Sequence, residues 1–188
     1  PNERDRVEMN ILEGDRLQEL GNIEMDQMNF KAAQNAFHQS LNIYQQIHYQ
    51  KGVGISLYKI GVIQQLQGRH QKALEYYQRA LSINKEDESI SSGLILGTIG
   101  TTYAAQKRHA KALEHYEQAL FIHRKLGNKK SEAINLGNMG DLYLQLEQNT
   151  KAKKHLQQAV SICKEIGFSI GIGAFSASLA VLYAKEHE

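Results

Sequence analysis

The chain has 188 residues, of which 41% are hydrophobic and 22% are charged, and its net charge is +2. Because acidic and basic residues are mixed along the chain, this balance excludes the strongly basic surface that nucleic acid or an anionic membrane would require, and we expect neither partner. No apolar segment reaches membrane-spanning length, and the single cysteine, Cys163, cannot form an internal disulfide. We therefore expect a cytoplasmic protein.

A ladder of small residues recurs along the chain at separations of 40, 39, 40 and 40 residues. Its members are Gly21, Gly61, Gly100, Gly140 and Ala180. A second ladder follows twelve residues after the first and consists of Ala33, Ala73, Ala112 and Ala152. A period of this length is typical of stacked supersecondary units, so the repeat is considered before any single residue.

The period predicts one array of four repeats, at about 14–53, 54–92, 93–132 and 133–172, followed by a final helix at 173–188. In each repeat, an apolar stripe at helical spacing is followed by a short turn and a second stripe, which predicts two antiparallel helices. The second helices of the third and fourth repeats should end at Gly127 and Gly167, which suit a left-handed C-terminal cap. The charged run Lys85–Glu88 is predicted to be an exposed loop.

The ladder glycines are predicted to be packing residues and not ligand-binding residues. Helices approach closely only where the side chains at their crossing are small, and a glycine inside a helix costs about 0.5–1 kcal/mol relative to alanine. Its recurrence at one register implies that close packing outweighs this cost. Large residues sixteen positions later should fill the space around each crossing: Phe37, Tyr77, Tyr116 and Leu156.

With the first residue of each repeat as position 1, leucine at position 4, glycine at 8, alanine at 20, an aromatic residue at 24 and alanine at 27 resemble the tetratricopeptide repeat (TPR). The resemblance implies an all-α fold, a right-handed superhelical solenoid of antiparallel helix hairpins. The long period and the stretch Asn135–Tyr143 are similar to the Leu-Gly-Asn (Pins-like) adaptors and to bacterial TPR signalling sensors.

In TPR proteins the first helices line a concave groove, and the residues next to the buried stripe face it. The resemblance therefore implies a non-enzymatic scaffold that binds a peptide or a helix of a partner protein there. Side-chain amides and hydroxyls can pair with the backbone of an extended peptide, and Asn138 matches the asparagine that does so in the family. The predicted groove residues are Asn22, Tyr58, Lys59, Val62, Gln65, Thr98, Thr101, Asn138, Asp141 and Gln145. Solvated helix-face positions are the alternative interpretation of this set.

Catalytic, nucleotide-binding and metal-binding chemistry is not expected. The glycines of 97–100 and 171–173 lack the Lys-Ser/Thr of a phosphate loop, and the eight histidines have no metal-ligand spacing. Position 5 is occupied by Gln18, Tyr58, Gly97 and Gly137, which cannot form the carboxylate clamp of chaperone-binding members. We therefore predict no enzyme activity, no cofactor and no metal.

Two alternatives remain open. The chain begins at Pro1 without a methionine and stops within a repeat period, so we expect a segment of a longer protein, in which it could be a ligand-sensing regulatory domain. Alternatively, a homodimer could form through the terminal helix 173–185. In that case its apolar stripe, which lacks a following helix to cover it, would form the interface: Phe175, Leu179, Leu182 and Tyr183.

Overall fold

The structure is a computed structural model and describes residues 2–83 and 90–186, so the Lys85–Glu88 run lies outside the described residues. Within these ranges the chain forms nine α-helices and no strand. The helices are α1 (Glu3–Asp26), α2 (Phe30–Gln46), α3 (Gln50–Leu66), α4 (His70–Ile83), α5 (Ile90–Ala105), α6 (His109–Lys125), α7 (Lys129–Gln145), α8 (Asn149–Glu165) and α9 (Ser169–Glu186).

The helices are grouped in two compact units, unit 1 (Pro1–Asp87) with α1 to α4 and unit 2 (Glu88–Glu188) with α5 to α9. In unit 1, consecutive helices pack against each other and α1 also contacts α3. In unit 2, consecutive helices do the same, and α5 contacts α7, which contacts α9. The first helices of successive hairpins are therefore neighbours within each unit. The single array across the whole chain stays a prediction.

Each ladder glycine lies where the first helix of a hairpin crosses the second. A Cβ added to Gly21, Gly61, Gly100 or Gly140 would stand 2.6 Å from a side-chain carbon of the residue sixteen positions later. These opposing residues are Phe37, Tyr77, Tyr116 and Leu156. Since no real Cβ is tolerated at that distance, only glycine allows the hairpin to close. The packing role predicted for the ladder is confirmed.

The turns between helices share one backbone feature. A residue with positive φ follows the end of the preceding helix at Met28, His48, Gly68, Lys107, Gly127, Glu147 and Gly167. At Gly127 (φ 66°) the next amide, that of Asn128, donates to the carbonyl of His123, which satisfies a C-terminal acceptor of α6. The predicted caps at Gly127 and Gly167 are confirmed.

The first helices begin earlier than the predicted repeat limits. α3 begins at Gln50, α7 at Lys129 and α9 at Ser169, each four residues before the corresponding limit, and α5 begins at Ile90, three residues before it. This extra turn carries no residue of the small-residue ladders, so the period alone does not reveal it. In unit 2 it brings Ser131 and Glu132 of α7 next to the end of α6.

Candidate functional site

The candidate site lies on the side of unit 2 formed by the first helices, where α5 and α7 contact each other. We call this surface the first-helix face of unit 2, defined by Gly97, Thr98 and Thr101 of α5 and by Asn138 and Asp141 of α7. A pocket of about 120 Å³ opens on it. Three predicted groove residues, Thr98, Thr101 and Asn138, line this pocket, so the structure brings them together.

The polar groups of α5 on this face are already oriented by hydrogen bonds within the unit. Thr98 Oγ1 donates to the Leu94 carbonyl at 2.9 Å, and Thr101 Oγ1 donates to the Gly97 carbonyl at 3.1 Å. The Tyr116 hydroxyl donates to Thr101 Oγ1 at 3.2 Å. Because both threonine protons are used for the backbone, their oxygens present mainly acceptor lone pairs to a ligand.

The other two predicted residues of unit 2 lie beyond the pocket. Asp141 is half-buried on α7, and its carboxylate is close enough to Tyr116 to act on it electrostatically. Burial is the main cause that raises the pKa of the Tyr116 hydroxyl; the Asp141 charge adds to the shift and the Thr101 hydrogen bond opposes it. Gln145 is exposed at the last residue of α7. The first-helix face of unit 2 is thus rich in acceptors and carries a negative charge on one side.

The sequence did not reveal several residues that complete the pocket. Gly97, His123, Ser131 and Asn135 line it together with the apolar side chains of Leu94 and Ile134. Asn135 is only 4% exposed. Its Nδ2 donates to the Ser131 carbonyl at 3.0 Å, whereas its Oδ1 is buried and has no hydrogen-bond partner among the described residues. The only available signal was indirect, a glycine at groove position 5 of the third repeat.

His123 forms the floor of the same region. Its ring lies against Gly93, where an added Cβ would stand 2.6 Å from Cε1. Both ring nitrogens are buried, and neither makes a well-aligned hydrogen bond with any residue that the structure describes. Burial lowers the pKa of the His123 imidazole, and the Gly93 backbone and the Glu132 carboxylate oppose this shift. The imidazole therefore brings one N–H donor and one acceptor in the neutral form.

An ion-pair cluster fixes the start of α7 beside this site. The Glu132 carboxylate, which is almost fully buried, accepts a hydrogen bond from Arg124 Nε at 2.8 Å and lies 3.6 Å from Lys129 Nζ. The Asn128 side chain caps α7 by accepting from the Ser131 amide at 3.1 Å. These contacts link α6 to α7 and hold Ser131 and Asn135 in place.

The remaining five predicted residues lie on unit 1. Asn22 is on α1, and Tyr58, Lys59, Val62 and Gln65 are on α3, all half-buried. Gln65 Oε1 accepts a hydrogen bond from the Tyr77 hydroxyl at 2.8 Å, and the Tyr58 and Tyr77 rings are 5.7 Å apart. Burial lowers the pKa of Lys59, while the charge of Asp26 opposes this shift. These five residues are described on unit 1 alone.

The terminal stripe was predicted wrongly in one respect. Phe175 and Leu182 of α9 are buried, and Tyr183 accepts a hydrogen bond from Gln157 Nε2 of α8 at 3.2 Å. The stripe needs no following helix, because the side of a first helix that carries it packs against the preceding hairpin, here α7 and α8. The apolar residues of α9 that remain exposed are different ones, Ile170 at 79% and Val181 at 50%.

Two further features of the described residues concern membranes and metals. None of the described helices is both long and apolar enough to cross a membrane. Residues 2–83 and 90–186 contain no group of three or more His, Cys, Asp or Glu side chains that could hold a metal ion. Cys163 is buried, and its burial raises the pKa of the thiol.

The repeat pattern and the hairpin geometry agree with a family comparison. The family model of the tetratricopeptide repeat matches residues 15–86 and 91–165. The chain belongs to the tetratricopeptide repeat family. TPR arrays are scaffolds for protein interaction and are typically not catalytic, so the family supports a protein-interaction scaffold. The Pins-like subclass is not confirmed and stays a prediction.

Solved structures of other proteins have the same fold. The chain resembles aspartyl phosphate phosphatase F from Bacillus subtilis (TM-score 0.88, 13% identity, covering 92% of this chain and 46% of that one). It also resembles a Rap protein complexed with competence and sporulation factor (0.78, 22%, covering 94% and 50%). A third similar structure is BtubC from P. vanneervenii (0.74, 18%, covering 97% and 85%). At these identities the likeness shows the fold, and it confirms the predicted all-α helical-repeat class.

The chain spans about half the length of the first two of these proteins, 46% and 50%. A comparison with curated proteins gives no match.

Proposed function

We propose that the chain is a non-enzymatic scaffold that binds a segment of a partner protein on the first-helix face of its repeats, with the main contacts on unit 2. The observation that carries this proposal is the pocket between α5 and α7. It is lined by Thr98, Thr101 and Asn138 and contains a buried acceptor, Asn135 Oδ1, without a partner among the described residues. A buried polar group without a partner is costly, and a bound segment would offset that cost.

The chemistry of the face favours an extended segment. An extended backbone offers unpaired N–H groups at regular intervals, and the face presents acceptors at Thr98, Thr101 and Asp141 together with the carboxamide of Asn138. The Rap structure named above is a complex with competence and sporulation factor, which supports ligand binding by this fold in that protein. The half-buried residues of α1 and α3 would provide a second binding surface on unit 1. The buried thiol of Cys163 is compatible with a cytoplasmic location.

Replacing Asn138 and Asp141 together by alanine should reduce partner capture without unfolding the chain. Both side chains are only half-buried, and the loss of two polar contacts should weaken binding by about tenfold to a hundredfold. The measurement is affinity capture with the full chain as bait, followed by quantitative mass spectrometry. The matched control replaces Glu114 and Gln118 of α6 by alanine, which removes one carboxylate and one carboxamide from exposed positions. Equal capture by both double variants would contradict the proposed site.

Self-association is a second candidate, favoured by the exposed residues of α9. Ala180 is exposed, whereas the four ladder glycines are buried at their hairpin crossings. A helix from a second copy would cover Ala180 and Val181. Light scattering should then show a mass that rises with concentration, and Val181→Asp should keep the chain monomeric. A monomeric mass of the unmodified chain at every concentration would exclude this candidate.

A further inference from the structure

Within each unit, position 5 of one repeat faces position 3 of the next, 38 residues later. In unit 1 this junction is formed by Gln18 of α1 and Ser56 of α3. Gln18 Nε2 donates to Ser56 Oγ at 3.0 Å, and Ser56 is fully buried. The chain's own carboxamide thus occupies the junction and supplies the hydrogen bond that the buried position 3 needs.

The last junction of unit 2 is also filled, but by an apolar group. Gly137 of α7 faces Phe175 of α9, and the aromatic ring lies directly against the glycine backbone. Phe175 is buried. A ring from position 3 therefore takes the space that a side chain at position 5 would otherwise occupy.

The junction between α5 and α7 has the same geometry but lacks the filling group. Gly97 at position 5 has no side chain, and Asn135 at position 3 points its Oδ1 towards it: an added Cβ on Gly97 would stand 2.9 Å from that oxygen. The Nδ2 of Asn135 is held by the Ser131 carbonyl at 3.0 Å, which fixes the orientation of the amide. The pocket of about 120 Å³ lies where Gln18 lies in unit 1.

We propose that this Gly97–Asn135 pocket binds the side-chain carboxamide of a glutamine or asparagine in the partner segment. The inference rests on the proposed function and specifies one contact of it. The carboxamide N–H₂ would donate to Asn135 Oδ1, as Gln18 donates to Ser56 in unit 1. Its carbonyl would accept from the N–H of the buried His123 imidazole, which lines the same pocket.

Other ligand chemistries fit this pocket less well. An apolar side chain would leave both Asn135 Oδ1 and His123 unpaired. An ammonium or guanidinium group could donate to Asn135 but offers no acceptor for the imidazole N–H. The buried carboxylate nearest to the pocket, that of Glu132, is already paired with Arg124 and Lys129, so an incoming cation would be buried without a counter-charge of its own.

Capped single amino acids separate these chemistries directly. The N-acetyl, N-methylamide derivatives of glutamine, methionine and lysine share one backbone and differ only in the side chain. Each is titrated into the ¹⁵N-labelled full chain, and the amide signals of Gly97 and Asn135 are followed by NMR. The glutamine derivative should bind with a Kd on the order of millimolar and about tenfold more tightly than the methionine derivative.

Two variants test the site itself. Asn135→Leu removes the acceptor and should abolish the preference for glutamine over methionine. Gly97→Gln places a carboxamide on α5, as in unit 1, and should block binding of the glutamine derivative. Gly173→Gln is the matched control: a side chain at Gly173 meets nothing within 4 Å, and binding there should be unchanged. If Gly97→Gln does not fold, Asn135→Leu alone decides.

Equal shifts with glutamine and methionine, tighter binding of lysine, or no shift with any derivative would overturn the carboxamide assignment. None of these results would affect the proposed function, which depends on partner capture by the Asn138 and Asp141 variant. Conversely, if that variant captures partners normally while the glutamine derivative still binds selectively, the pocket stands and the proposed groove fails.

Discussion

Replacing Gly140 by leucine should unfold unit 2 at least locally and lower its free energy of unfolding by more than about 3 kcal/mol. The reason is the crossing of α7 and α8, where even a Cβ on Gly140 would stand 2.6 Å from Leu156 Cγ and 3.2 Å from the Leu156 amide nitrogen. The side chain could yield, but the backbone atom belongs to a regular helix and cannot move without breaking the crossing. Urea unfolding monitored by circular dichroism, together with hydrogen exchange to localise the effect, measures this change.

Gly173→Leu is the control for this substitution. Gly173 lies inside α9 and has nothing within 4 Å of an added Cβ, so leucine there should stabilise the helix by about 0.5–1 kcal/mol through its better helix propensity. The same change is thus expected to have opposite signs at two helical glycines. A loss at Gly140 no larger than about 1 kcal/mol would contradict a packing role for the ladder.

The fold was largely predictable because its signals are local and repeated. Gly100 and Tyr116, for example, lie in one hairpin sixteen residues apart, and the same pair recurs at Gly21 and Phe37. Repetition separates such a pattern from chance. The helix starts were less predictable, since the extra turn before each first helix carries no residue with a fixed role.

The candidate site was only partly predictable. Thr98, Thr101 and Asn138 lie next to the buried stripe, so the helix period places them on an exposed face. The pocket between Gly97 and Asn135 depends instead on a missing side chain and on a contact between repeats 38 residues apart. That contact is set by the offset between neighbouring first helices, which the period does not specify. The stripe of α9 was misassigned for a similar reason, because its burial depends on where α8 lies.

The contact between Gly137 and Phe175 offers a test of that offset by a pair of substitutions. Phe175→Ala should lower the free energy of unfolding of unit 2 by about 3–5 kcal/mol, since the buried ring is lost and a cavity remains over Gly137. Gly137→Ala alone should also destabilise, by about 1–3 kcal/mol, because the added methyl group meets the ring. In the Phe175→Ala background the methyl group enters the cavity, and the same change should stabilise by about 0.5–1 kcal/mol.

This reversal of sign corresponds to a coupling free energy of at least about 1.5 kcal/mol, which a double-mutant cycle by urea unfolding can resolve. Gly173→Ala, two residues before Phe175 and without a neighbour within 4 Å, should have the same effect in both backgrounds. If the alanine variant of Phe175 does not fold, Phe175→Leu gives a smaller cavity and the same sign. Additive effects of the Gly137 and Phe175 substitutions would mean that position 5 and position 3 do not meet. The pairing of Gly97 with Asn135 would then lose its structural basis as well, because it depends on the same offset between first helices.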